Sequence, residues 1–145
     1  ERRPDVKVIG VQPEHANAAY LSLEVGVPTT IDYWDTIADG LSAVRPGLFP
    51  FLHLQRYLDD IVLIGEENIA NSFCILRDRA KIVGEPAGVV ATAAFLADKV
   101  DTSLATVAVV TGGNVTTETT QLLTEMADQW SSCGEHPEDE CKEDY

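Results

Sequence analysis

Four consecutive residues, Thr111-Gly112-Gly113-Asn114, have the composition of a ligand-binding turn. They follow the run TVAVV at 106–110, which is typical of a buried strand. A hydroxyl can hydrogen-bond a ligand, and glycines without a Cβ let a flat ligand approach the backbone closely. Because glycine-rich turns are common, the spacing alone favours an ordinary strand-to-helix turn, and a binding site remains the alternative.

A second candidate is the segment GEPAG at 84–88, which interrupts a helical pattern. Pro86 suits the first turn of a new helix, since its missing N–H is not needed there. A carboxylate such as Glu85 at a helix N-terminus usually stabilises the helix dipole. Contact between Glu85 and a ligand is the alternative interpretation.

Other chemistries find little support in the sequence. His15, His53 and His136 show no pairing with a nucleophile or an acid, and no nucleophile elbow or phosphate loop is present. Cys133 and Cys141 with His136 supply three donors on a polar segment, whereas a zinc site needs four in tight pairs. We therefore expect no metal site.

The elements that would position these residues alternate between strand and helix. Strands are predicted at 6–11, 59–65 and 106–110, and helices at 14–25, 36–41, 52–58, 66–83, 87–97 and 116–130. This order indicates an α/β domain, a three-layer αβα arrangement with a parallel sheet, and such sheets bind ligands beyond the carboxyl ends of their strands. Because sheets usually have about four to six strands, we expect part of a larger sheet.

Composition narrows the class of protein further. The 145 residues correspond to about one domain, predicted over 1–130 with a disordered acidic tail at 131–145. The net charge of -14 would repel phosphate backbones, so nucleic acid is not an expected partner. No apolar run approaches the roughly 20 residues of a membrane span. Three cysteines and no visible secretion signal predict the cytoplasm.

Four segments in order resemble one family, the fold-type II pyridoxal-phosphate enzymes, in the branch of threonine ammonia-lyase (threonine dehydratase) and serine racemase. They are VIGVQP at 8–13, DTIADG at 35–40, GEPAG at 84–88 and TGGNV at 111–115. Each motif alone is weak evidence for the family, but the order of the four motifs and their separations also match the family pattern. The resemblance covers residues 4–115 and implies the C-terminal part of the large catalytic domain, with pyridoxal 5'-phosphate as cofactor.

The resemblance also implies roles for five residues. The position of Thr111 is usually Ser in the family, and its hydroxyl hydrogen-bonds the pyridine nitrogen of the cofactor. Gly40 would lie against the cofactor ring, Glu85 near its edge, and Gly112 and Gly113 would shape the pocket floor. Because a neutral hydroxyl does not favour a protonated pyridine, the arrangement suits elimination over other carbanion chemistry.

The chain departs from the family pattern at two points. Gln12 and Ala18 stand where metal-binding relatives carry carboxylates, and neither is a good ligand for a hard cation, so we expect that site to be lost. The family's phosphate-cradling loop and its Schiff-base lysine, the catalytic residue, lie upstream of this stretch. The lysines present are Lys7, Lys81, Lys99 and Lys142, and none has the expected Ser-x-Lys context.

The resemblance implies β-elimination of L-threonine or L-serine to a 2-oxo acid and ammonia, a reaction of amino-acid metabolism. The expected partner of this chain is the missing N-terminal half of the enzyme. The complete enzyme is expected to form a homo-oligomer, and no membrane association is expected. The isolated chain is expected to be inactive. A fragment of a serine racemase-like enzyme and a non-catalytic remnant or docking module with an open sheet edge remain the alternatives.

Overall fold

The sheet consists of two parallel strands formed by short apolar runs. The computed structural model describes residues 3 and 5–133, within which β1 (Ile9–Pro13) and β2 (Asp60–Ile64) pair with Ile9 opposite Asp60 and Pro13 opposite Ile64. Pro13 is the last residue of β1, and proline is tolerated there because β1 is an edge strand of this two-stranded sheet. The predicted α/β class with a parallel sheet and both of these strands are confirmed.

The third predicted strand is wrong. Residues 106–110 pair with no strand in the described part of the chain, where the sheet has two strands. The side chains of Val107 and Val109 are 87% and 63% exposed. A β-branched run becomes a strand only when a neighbouring strand supplies its hydrogen-bond partners, and neither β1 nor β2 does so.

The helices fall mostly where the sequence predicts them. They are α1 (Ala18–Val25), α2 (Leu48–Tyr57), α3 (Glu66–Ile75), α4 (Val90–Leu96) and α5 (Thr117–Cys133), with 3-10 turns at Asp39–Leu41 and Pro86–Gly88. Gly26 ends α1 with φ 83°, the left-handed conformation that glycine adopts without strain. The helix predicted over 66–83 is shorter, because α3 passes into a π-helical turn at Leu76–Ala80 and Lys81 turns left-handed with φ 58°.

The core lies between α3, α4 and α5 and reaches the end of β2. Small residues on α4, such as Ala93 and Ala94, are buried, as expected of a helix that packs closely. Ile64 at the end of β2, Ile69 on α3 and Leu123 on α5 are fully buried. The helix α5 includes residues 131–133, while the rest of the predicted acidic tail lies outside the described residues. No helix in the described part is long and apolar enough to cross a membrane.

Candidate functional site

Two of the sequence motifs lie side by side in the folded chain. The backbone N–H of Glu85 donates to the carbonyl of Thr111 at 3.4 Å, and the N–H of Thr111 donates to the carbonyl of Gly88 at 3.2 Å. This close approach requires glycine at position 88, because a Cβ there would overlap the Thr111 carbonyl oxygen. The turn that begins at Thr111 is therefore fixed against the 3-10 turn Pro86–Gly88.

The side chain of Glu85 lies where three motifs converge. A Cβ at Gly112 would overlap its carboxylate. A Cβ at Gly40 would lie 3.8 Å from Glu85 Oε1 and 2.9 Å from the Cβ of Ala87. The motif at 35–40, which is distant in sequence, is thus brought to the same carboxylate by the 3-10 turn Asp39–Leu41.

The five predicted site residues are not all equivalent in the structure. Gly40, Glu85, Thr111 and Gly112 come together as described. Gly113 follows directly in the chain, but the nearest atom to its Cβ position is the carbonyl oxygen of Val83 at 4.0 Å. The backbone at Gly113 is therefore more open than that at Gly112.

The polar groups of this cluster are available to a ligand. The Thr111 hydroxyl is exposed and makes no hydrogen bond within the described residues. The Glu85 carboxylate is half-buried and has no hydrogen-bond or ion-pair partner among them either. A cavity of about 210 Å³ adjoins the motifs and is lined by Ile37, Asp39, Pro86, Asn114, Val115, Thr119 and Leu122.

This arrangement fits a flat ring that carries a hydrogen-bond acceptor. Glycines at positions 40 and 112 let the backbone pack directly against Ala87 and the Glu85 side chain, where a Cβ would overlap them. A free hydroxyl can donate to a ring nitrogen. The residues present therefore fit the pyridine side of pyridoxal phosphate.

The first motif plays a different part. The side chain of Gln12 accepts a hydrogen bond from the Tyr20 N–H at 2.8 Å, so it holds the start of α1. Ala18 is buried in that helix. Within residues 3 and 5–133, no group of three or more His, Cys, Asp or Glu side chains is placed to hold a metal ion.

Glu66 begins the helix predicted over 66–83, and the sequence interpretation gave it no role in the site. In the structure its Oε2 accepts the backbone N–H of Ile37 at 2.8 Å, and its Oε1 is buried without a hydrogen-bond partner. The sequence did contain a signal that could have identified Glu66, because it is an acidic residue directly after an apolar parallel strand. Such sheets bind ligands at the edge where their strands end.

The fold and this cluster define an α/β protein in which glycines, a carboxylate and an exposed hydroxyl lie beside a cavity. The model of the pyridoxal-phosphate dependent enzyme family matches residues 1–112, and the chain belongs to that family. The family predicted from the four motifs is therefore confirmed.

Individual relatives agree with the branch. The catabolic L-threonine dehydratase TdcB of Escherichia coli K12 is 37% identical over 128 residues, which is 86% of this chain and 39% of that protein. The processed threonine deaminase isoform 2 of Solanum lycopersicum superposes with a TM-score of 0.77 at 29% identity, over 86% of this chain and 37% of that one.

A serine racemase is also similar. The structure of the enzyme from Dictyostelium discoideum has a TM-score of 0.67 at 29% identity, over 79% of this chain and 37% of that one. The chain therefore spans well under half of the length of the relatives it matches.

Proposed function

We propose that this chain is the C-terminal part of the catalytic domain of a pyridoxal-phosphate-dependent ammonia-lyase. The complete enzyme would convert L-threonine or L-serine to a 2-oxo acid and ammonia by β-elimination. The observation that carries the proposal is the convergence of Gly40, Glu85, Thr111 and Gly112 from three separate motifs. The similarity to threonine dehydratase and threonine deaminase supports the reaction class.

When bound, pyridoxal phosphate supplies the electron sink for chemistry at the amino-acid α-carbon. The Thr111 hydroxyl would donate a hydrogen bond to the pyridine nitrogen and orient the ring. Because a neutral hydroxyl gives a protonated pyridine no charge stabilisation, the nitrogen would stay unprotonated, which moderates the electron sink. Gly40 would lie against the ring, Gly112 and Gly113 would shape the floor of the pocket, and the Glu85 carboxylate would lie near the edge of the ring.

The proposal assigns the remaining chemistry to an N-terminal half of the enzyme. That half would supply the lysine that anchors the cofactor and removes the α-proton, together with the phosphate-binding loop. Lys81 is a poor candidate for this lysine, because its ammonium donates to the Asp78 carbonyl at 2.6 Å and is exposed. This chain would then form the pyridine-side wall of a cytoplasmic homo-oligomer and be inactive alone.

The test begins with the coding DNA upstream of Glu1 and then uses the whole reading frame. The encoded protein is expressed, supplied with pyridoxal phosphate, and assayed for 2-oxo acid formation from L-threonine and from L-serine. We expect an in-frame phosphate loop, a Ser-x-Lys site and activity on at least one substrate. A reading frame that starts at Glu1 and no such half elsewhere would replace this proposal with a remnant or docking module.

Serine racemase chemistry is the second candidate, because the Dictyostelium discoideum enzyme has a similar structure. The same assay separates the two activities if the products of L-serine are resolved by chirality. D-serine in excess of pyruvate would favour the racemase, and pyruvate without D-serine favours the ammonia-lyase.

A further inference from the structure

Glu66 connects the end of β2 to a loop that is distant in the sequence. It is the first residue of α3, and its Oε2 accepts the Ile37 N–H at 2.8 Å across a separation of 29 residues. A hydrogen bond to a charged acceptor is stronger than one between neutral groups, so this contact fixes the loop firmly.

The loop segment held in this way leads directly to Gly40. Ala38, next to Ile37, is fully buried, and its carbonyl accepts the Leu41 N–H at 2.8 Å to form the 3-10 turn. That turn brings Gly40 against Ala87 and the Glu85 carboxylate. The position of Ile37 therefore determines the position of Gly40.

The other carboxylate oxygen of Glu66 indicates that stability alone does not explain this residue. Oε1 is buried and has no hydrogen-bond partner among the described residues. A buried acceptor without a partner is unfavourable, and native proteins keep few of them. Sites where a local rule is broken are commonly functional. The cavity that Glu66 lines, about 620 Å³, also borders His15, Tyr33, Asp35 and Thr36.

We propose that Glu66 is a positioning residue for the cofactor pocket, holding the Ile37 backbone so that Gly40 stays beside Glu85. This inference rests on the proposed function, because it assumes that the pocket at Gly40 takes pyridoxal phosphate. Glu66 acts through the loop and does not contact the cofactor itself.

Two substitutions separate the reach of the side chain from its charge. Glu66→Asp keeps the carboxylate in the first turn of α3 but is one methylene too short for Ile37. Glu66→Gln removes the charge but keeps an oxygen acceptor at the same reach. Glu67→Asp is the matched control, since Glu67 lies in the same turn and, within residues 3 and 5–133, its carboxylate accepts only from the neighbouring Asn68 side chain at 2.9 Å.

Two measurements on the full-length protein carry the test. Hydrogen exchange of residues 35–41, measured without cofactor, reports whether the loop is held. Titration with pyridoxal phosphate, followed by its absorption band, reports the affinity of the pocket. For Glu66→Asp we expect both the exchange rate and the Kd to rise about tenfold, the factor that a charged hydrogen bond represents. Glu66→Gln keeps the acceptor but loses the charge, so both values should rise less than in Glu66→Asp, and Glu67→Asp should stay within about twofold of wild type.

The outcomes are distinguishable. Unchanged exchange and unchanged Kd in Glu66→Asp would overturn the positioning role, whatever the function of the protein. Faster exchange with an unchanged Kd would also overturn the positioning role, because it would show that Glu66 holds the loop without affecting the cofactor pocket. If wild-type protein binds no pyridoxal phosphate, the proposed function fails and the role in the cofactor pocket fails with it, although the exchange data still decide the anchoring. Losses in Glu66→Gln as large as those in Glu66→Asp would support the anchoring and show that it depends on the charge of the acceptor as well as on its reach.

Discussion

Gly112 lies so close to the side chain of Glu85 that a Cβ at position 112 would overlap the Glu85 carboxylate. The same glycine has φ 71°, in the left-handed region that costs other residues about 1–2 kcal/mol. Two independent requirements, for conformation and for space, therefore demand glycine here. Because the turn and the carboxylate share one space, any change that moves the turn also moves Glu85.

Gly112→Ala tests this relationship. We expect the free energy of unfolding to fall by about 1–2 kcal/mol from the backbone conformation alone, and further because Glu85 must move. Urea unfolding measures the loss. Gly26→Ala isolates the conformational part, because Gly26 has φ 83° and open space around its Cβ position. Equal losses at positions 112 and 26 would contradict the overlap with Glu85.

The neighbouring residue provides a second control for Gly112→Ala. A Cβ at Gly113 would meet nothing nearer than the Val83 carbonyl at 4.0 Å, and Gly113 does not have a positive φ. Gly113→Ala should therefore change stability by no more than about 0.5 kcal/mol. A loss as large as that of Gly112→Ala would mean that the whole turn requires glycine.

Thr111→Val removes the hydroxyl while keeping the branched shape of the side chain. If the hydroxyl donates to the pyridine nitrogen, the Kd for pyridoxal phosphate should rise about three- to tenfold, the net value of one hydrogen bond. Thr111→Ser should bind within about twofold of wild type, because it retains the donor. Stability should not change, since the hydroxyl has no partner within the described residues. If Thr111→Val and Thr111→Ser bind pyridoxal phosphate equally well, the hydroxyl does not donate to the pyridine nitrogen.

Leu123 tests how α5 is held to the rest of the domain. Its side chain is fully buried against the core, whereas that of the adjacent Leu122 is 48% exposed. Leu123→Ala should lower the free energy of unfolding by about 2–5 kcal/mol, and Leu122→Ala by clearly less. Chemical denaturation of both variants measures the difference. Similar losses would indicate that the two residues are buried alike in solution.

Cys74 predicts a pH dependence of stability. Burial raises the pKa of its thiol, and the nearby Arg77 guanidinium offsets part of that increase. The folded protein therefore keeps the proton to a higher pH than the unfolded chain. Stability should then fall as pH rises through and above the ordinary pKa range of a thiol.

The measurement for Cys74 is the urea midpoint between about pH 7 and about pH 10, in wild type and in Cys74→Ser. The midpoint of wild type should fall more steeply with pH than that of the variant. Parallel curves would show that Cys74 does not contribute. The rate of Cys74 alkylation, followed by peptide mass spectrometry as a function of pH, should rise at a higher pH in the folded protein than in the unfolded chain.

The sequence alone determined the features that depend on local pattern. The apolar runs at β1 and β2 form strands because each is short, β-branched and bounded by turn residues. Gly26 ends α1 because only a residue tolerant of positive φ fits there. The family follows from four short motifs whose order needs no folding to be recognised.

The tertiary structure decided what depends on partners far along the chain. The run at 106–110 has the same local pattern as the two strands, yet a strand also needs a neighbour, and none lies beside it in the described residues. The contact of Glu66 with Ile37 joins two segments that nothing in the sequence relates to each other, and the motifs that predicted one site for Glu85 and Gly112 did not predict their direct contact. Long-range packing, which no periodicity encodes, therefore determines which side chains share the candidate site.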